Sequence, residues 1–107
     1  MAVLTGNDEL LMLAILSLGD DAYGVTLMKH LTKITEREWS IGAIYDPLYR
    51  LEKNGFVRSE ETMPTGERGG RRKRVYRVTD KGTGALREQR NIRRELYSGL
   101  DGAVAGL

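Results

Sequence analysis

The sequence predicts a mainly helical α+β fold: a winged helix-turn-helix of three helices and a two-stranded wing, followed by a C-terminal helix. Three observations predict it. Apolar residues recur at helical spacing in three successive segments before residue 55. Two short alternating segments then flank the loop PTGERGGRR, where three glycines mark a turn. A final polar segment carries a narrow heptad-like apolar stripe.

Thr5 with Asp8 three residues later resembles a capping box, so a first helix starts there and ends near Gly19. Its run LLMLAILSL is apolar around nearly the whole circumference, more than one core-facing stripe requires. Either the helix is sandwiched inside the domain or its surplus face meets a second copy of the chain; in so small a protein the second is expected, through Leu10, Leu11, Ala14 and Ile15. Tyr23, Leu27, Leu31 and Ile34 mark one face of a second helix, and Ile41, Ile44, Leu48 and Leu51 mark one face of a third. Ser40 is the expected N-cap of that third helix and Asn54-Gly55 its stop. Pro47 removes an N–H inside it, which predicts a local kink or an irregular first turn. Residues 56–63 and 74–79 read as the two strands of the wing. Thr79-Asp80 caps a last helix carrying Ala85, Gln89, Ile92 and Leu96 at heptad-like spacing. A lone helix of that pattern packs outside its own fold, so these four residues complete the expected dimer surface. The organisation is a winged-helix domain over 1–79, a dimerisation helix over 80–100, and a flexible glycine-rich tail over 101–107.

At 107 residues the chain holds one domain with a modest core. Its formal charge of +2 conceals an asymmetry. Residues 1–67 carry 6 Lys/Arg against 11 Asp/Glu, whereas residues 68–107 carry 11 against 4. A basic half on an acidic body suits a polyanion. The absence of cysteine excludes a disulfide framework, a thiolate zinc site and a cysteine nucleophile. The longest apolar run is far short of the ~20 residues that span a bilayer. It is preceded by Asp8 and Glu9 rather than by cations, so no export signal is read and a cytoplasmic protein without membrane contact is expected.

The second and third helices, joined by a short turn at 38–40, form a helix-turn-helix pair whose second member fits a DNA major groove about 12 Å wide. Its polar face comprises Gly42, Ala43, Asp46, Tyr49, Arg50 and Lys53. Arg50 is the best placed for bidentate contact with a guanine edge or a phosphate. Lys53 is either a DNA contact or a charge against the helix dipole. Tyr45, at the border of the face, either reaches a phosphate or packs beneath the wing. In the wing, Arg68, Arg71, Arg72, Lys73, Arg74 and Arg77 put six cations into ten residues with no acid among them. Such side chains settle along a phosphate backbone or into a minor groove.

The runs EWSIGAIYDPLYRLEKNGFV and GERGGRRKRVYRVTDKG resemble the PadR family of bacterial winged-helix transcriptional regulators, in its short form with one C-terminal helix. The resemblance spans roughly residues 10–96. It implies a homodimeric repressor of double-stranded DNA, with residues 40–54 as the reading helix, 57–79 as the wing, and the first and last helices as the dimer contacts. Ser40 falls in the matching motif and joins the expected DNA contacts. Members commonly respond to small aromatic or hydrophobic molecules, so the resemblance also implies a small-molecule effector. The family usually reads Ser-Pro-Gly-Thr-Ile-Tyr-Pro where this chain has Ser40-Ile41-Gly42-Ala43-Ile44-Tyr45-Asp46. Ala43 lacks the hydroxyl expected there. Asp46 puts a carboxylate on the reading face, either to accept from a cytosine amino group or to orient Arg50. Base specificity therefore does not carry over. Some relatives line a drug-binding pore with a tryptophan of the last helix, but the single tryptophan here is Trp39, before the third helix.

Two other functions fit parts of the sequence. A winged-helix module can meet an acidic protein or an RNA through the same ribbon. An enzyme is the poorest reading, because the single histidine, His30, has no evident catalytic partner and no metal-spaced ligand set appears. No cofactor or metal is expected.

Overall fold

The computed structural model of the protein describes residues 4–62 and 72–100. In chain order it contains α1 (Gly6–Leu18), a short 3₁₀ turn (Gly19–Asp21), α2 (Gly24–Thr35), α3 (Ile41–Lys53), β1 (Val57–Glu61), β2 (Arg74–Val78) and α4 (Asp80–Ser98). The strands pair antiparallel, with Val57 opposite Val78 and Glu61 opposite Arg74. This is a winged helix followed by one long helix. The expected flexible tail at 101–107 lies outside the described residues, as does the wing tip that carries Arg68 and Arg71.

Local chemistry sets the boundaries. Thr5 and Asp8 form the reciprocal capping box, with the Asp8 amide donating to Thr5 Oγ1 at 3.0 Å and the Thr5 amide to Asp8 Oδ2 at 3.1 Å. Ser40 Oγ caps α3 by accepting from the Ala43 amide at 3.0 Å, and Thr79 Oγ1 caps α4 by accepting from the Gly82 amide at 3.0 Å. Gly19 ends α1 and Gly55 follows α3, both with positive φ. Helix α3 runs through Pro47 as one element. The proline leaves the Ala43 carbonyl without its i+4 donor but does not end the helix.

Leu11, Met12 and Ile15 of α1, Leu27 and Leu31 of α2, and Ile44, Leu48 and Leu51 of α3 form the core, closed by Phe56, Val57, Tyr76 and Leu86. Trp39 is buried before α3, its Nε1 donating to Thr35 Oγ1 at 2.9 Å. Two expected core residues are exposed instead. Ile34 occupies the last turn of α2 and Ile41 the first residue of α3, so both sit at helix ends and open to solvent.

The wing is fastened on both sides. The Tyr76 amide donates to the Ala22 carbonyl at 2.8 Å, joining β2 to the segment before α2. On the other side, the Thr79 amide donates to the Phe56 carbonyl at 3.0 Å. Gly82 then lets α4 approach the wing. A Cβ there would lie 2.1 Å from the Phe56 carbonyl oxygen, so no other residue fits without moving backbone. Beyond Gln89 every described residue of α4 is exposed, and the molecule extends 57 Å along its longest axis.

Candidate nucleic-acid interface

Ile44, Leu48 and Leu51 turn one side of α3 into the core, so the opposite side, with Gly42, Asp46, Tyr49 and Lys53, faces solvent. Tyr49 is 72% exposed. Ser40 is exposed at the cap, and Ala43 is half-buried beside Trp39 and Met28. Tyr45 lies across the start of α2. A Cβ on Gly24 would fall 1.8 Å from its hydroxyl oxygen, so Gly24 makes room for the ring.

Arg50 does not project freely. It crosses to the first turn of α1, donating from Nη2 to Asp8 Oδ1 at 2.7 Å and from Nη1 to Asp8 Oδ2 at 3.0 Å. Asp8 is only 1% exposed. Burial disfavours its charged form, but the hydrogen bonds from Arg50 and Thr5 and the guanidinium charge outweigh this, holding the carboxyl below its ordinary pKa. The Arg50 pKa is raised in turn, chiefly by the hydrogen bond to Asp8. The expected free guanine-reading arginine is therefore replaced by a fork tied between α1 and α3. Nor does Asp46 orient it, because Asp46 forms no ion pair among the described residues.

The wing differs from its reading as a run of unopposed cations. Antiparallel pairing brings β1 acids against β2 bases that are distant in sequence. Arg74 Nη2 lies 3.3 Å and Arg72 Nη1 3.6 Å from Glu61, while Arg77 reaches Asp20 at 2.7 Å and Glu60 at 3.4 Å. Lys73 stands over the Tyr23 ring, its Nζ 4.4 Å from the centroid and 3.3 Å from the hydroxyl oxygen. Helix and wing are also linked. Ser59 Oγ donates to Glu52 Oε2 at 2.6 Å and accepts from Arg74 Nη1 at 2.9 Å. Beneath this link burial, with the charges of Tyr45 and Glu52, pushes the Tyr76 hydroxyl pKa up.

The expected dimer residues divide. Leu11, Ala14 and Ile15 are sealed inside this chain's own core, and Leu10 packs partly against it, so α1 does not offer them to a second copy. The exposed apolar residues of α1 are Leu13 and Leu16, at 48% and 52%. On α4, Ile92 and Leu96 are exposed as expected, whereas Ala85 packs partly on the core and Gln89 donates to Glu9 Oε2 at 3.0 Å. Arg93 Nη2 lies 3.1 Å from the same Glu9 carboxylate, docking α4 onto α1.

Comparison with known proteins agrees with this architecture. The model of the transcriptional regulator PadR-like family matches residues 12–88, which run from within α1 through α3 and the wing into α4. The chain belongs to the PadR-like family of transcriptional regulators. It is 36% identical over 77 residues to the transcriptional regulator Rv3488 of Mycobacterium tuberculosis, covering 72% of this chain and 67% of that protein. A PadR family regulator from Eggerthella lenta superposes with a TM-score of 0.65 at 28% identity, covering 92% of this chain and 83% of the other. The fold is also that of a Clostridium thermocellum transcriptional regulator, with a TM-score of 0.70 at 22% identity over 92% and 89% of the two chains. A PadR-like protein acts in transcription regulation, and these relatives are regulators rather than enzymes. Among the described residues no helix is long and apolar enough to cross a membrane.

Sequence reasoning missed three features of the PadR-like site. Asp8 read only as a cap, although an acid there is also free to turn inward. Nothing local marked Gly24 as the place where the Tyr45 ring packs. Glu60 and Glu61 were legible as acids, but their opposition to the arginines needed the strand register.

Proposed function

We propose that the chain is a homodimeric repressor that binds an inverted-repeat operator, with α3 of each copy in a major groove and the wing along the adjoining phosphates. The reading rests chiefly on the hydrogen-bond link Glu52–Ser59–Arg74, which makes the exposed face of α3 and the base of the wing one surface. Asp46, Tyr49 and Lys53 supply polar groups to the groove, with Tyr45 at its edge. Ser40, Lys73 and Arg72 face the backbone, and the sequence adds Arg68 and Arg71 at the wing tip. Arg50 acts as a positioning residue for the reading helix. Leu13, Leu16, Ile92 and Leu96 form the surface of a second copy.

Selection from random duplexes tests this. An inverted repeat should emerge with half-sites about 10 bp, or a multiple, apart, as a two-fold dimer with one reading helix per copy requires. Affinity should fall steeply with salt. Recovery of single half-sites would overturn the dimeric reading. Preference for single-stranded RNA over duplex DNA in a gel shift would favour the other ligand class.

A further inference from the structure

The face of α3 assigned above to the groove has few donors where a groove is read first. In a helix-turn-helix the N-terminal residues of the second helix meet the base edges. Here the exposed residues of the first two turns are Ile41, Gly42, Tyr45 and Asp46. None is an arginine, lysine, asparagine or glutamine, and Arg50 further along is engaged by Asp8. Ile41 is 66% open to solvent, against 44% for Tyr45, although it belongs to the apolar periodicity of the helix. The Ser40 cap holds that first turn in place. A Cβ on neighbouring Gly42 would meet nothing closer than Asp46 Oδ2 at 3.6 Å, so the backbone beside Ile41 is open to close approach. Val25, in the first turn of α2, borders the same shallow apolar hollow and is itself exposed.

The major-groove edge of a base pair offers one apolar group, the C5-methyl of thymine. An apolar side chain at the leading corner of a reading helix, beside a glycine and with no arginine, lysine, asparagine or glutamine exposed in its first two turns, matches that group. We propose that Ile41 is a specificity-determining residue that packs on the methyl of one thymine in each operator half-site. This rests on the proposed role of α3 as the reading helix.

The test uses the full chain and its selected duplex, with each half-site thymine replaced singly by deoxyuridine, which removes only the methyl. At one position per half-site the replacement should weaken binding about three- to tenfold, the scale of losing one buried methyl contact. Ile41→Ala should lose a similar factor on the thymine duplex and then be indifferent to deoxyuridine at that position. The exposed position should leave its thermal melt unchanged, and Ile41→Val should retain most of the discrimination. If no deoxyuridine replacement matters, or if Ile41→Ala keeps the full sensitivity, the inference is overturned while α3 remains the reading helix. If the protein ignores duplex DNA in dilute buffer, the DNA-reading model itself fails, a distinct outcome.

Discussion

Arg50 of α3 grips Asp8 of α1 through both terminal guanidinium nitrogens, at 2.7 and 3.0 Å, and so fixes α3 to α1. The neighbouring Glu9 holds Gln89 and Arg93, so one turn of α1 anchors both α3 and α4. Removing one partner of a buried pair strands the other charge, which costs about 3–5 kcal/mol when both are fully enclosed. The Arg50 side chain is 49% exposed, so screening by water reduces that figure. Asp8→Ala should therefore destabilise by about 2–3 kcal/mol in urea titrations. Adding Arg50→Ala should cost little more, because the two substitutions break the same contact. Full additivity would show that the pair acts as two unrelated groups.

The same contact makes stability depend on acid. The Asp8 carboxyl is held below its ordinary pKa in the folded chain, so the unfolded chain binds its proton more readily. The contribution is complete above about pH 5, beyond the unfolded value near 4, and is lost as pH falls through the lower folded value. Urea midpoints measured from pH 6 down to pH 3 should decline, and Asp8→Asn should flatten that decline. An identical profile in both proteins would place the acid sensitivity elsewhere.

Two glycines allow close approaches of different kinds. At Gly82 an added Cβ would strike the Phe56 carbonyl 2.1 Å away, backbone that is fixed by the Thr79 amide. Gly82→Ala should cost at least about 1–3 kcal/mol, the range of an overpacked core. At Gly24 the obstacle is the Tyr45 hydroxyl, the far end of a half-exposed side chain that can swing aside. Gly24→Ala should leave the thermal melt nearly unchanged but weaken operator binding by displacing Tyr45. Equal destabilisation by both would refute the distinction.

Cross-strand acids restrain the charge of the wing. Glu61 lies within 3.6 Å of both Arg72 and Arg74, so part of their charge is neutralised before any polyanion arrives. Glu61→Gln should tighten binding to all duplexes alike and steepen the dependence of log K on log salt. Arg72→Ala should weaken all duplexes alike and reduce the slope by about 1. Fluorescence anisotropy between 50 and 300 mM salt would measure both slopes. An unchanged slope for Arg72→Ala would remove the wing from the interface.

The element order and most caps were legible because each rests on local chemistry: Thr5, Ser40 and Thr79 each sit one residue before a helix. What was not legible depends on tertiary register. The periodicity of α2 and α3 included Ile34 and Ile41, but a spacing rule cannot tell at which end residue of a helix the core stops. The apolar run of α1 was rightly seen to exceed one stripe. Choosing which residues were surplus required knowing which side α3 and the wing cover. The pairing of Arg50 with Asp8 spans 42 residues, and no local pattern carries it.

The proposed dimerisation can be separated from folding because α1 exposes Leu13 and Leu16 while burying Leu11 and Ile15. Ile15 is 2% exposed and belongs to the core, whereas Leu16, the next residue, is half open. A charge at Leu16 or at Leu96 should leave the monomer folded but oppose any partner seated there, since an unpaired charge in an apolar contact is costly. Leu16→Glu combined with Leu96→Glu should shift sedimentation from dimer to monomer while preserving helical circular dichroism. Because two half-sites are then engaged independently, affinity for the inverted repeat should fall toward that for a single half-site. Ile15→Glu, by contrast, should unfold the chain outright. A double variant that sediments as a dimer would move the interface off these two helices.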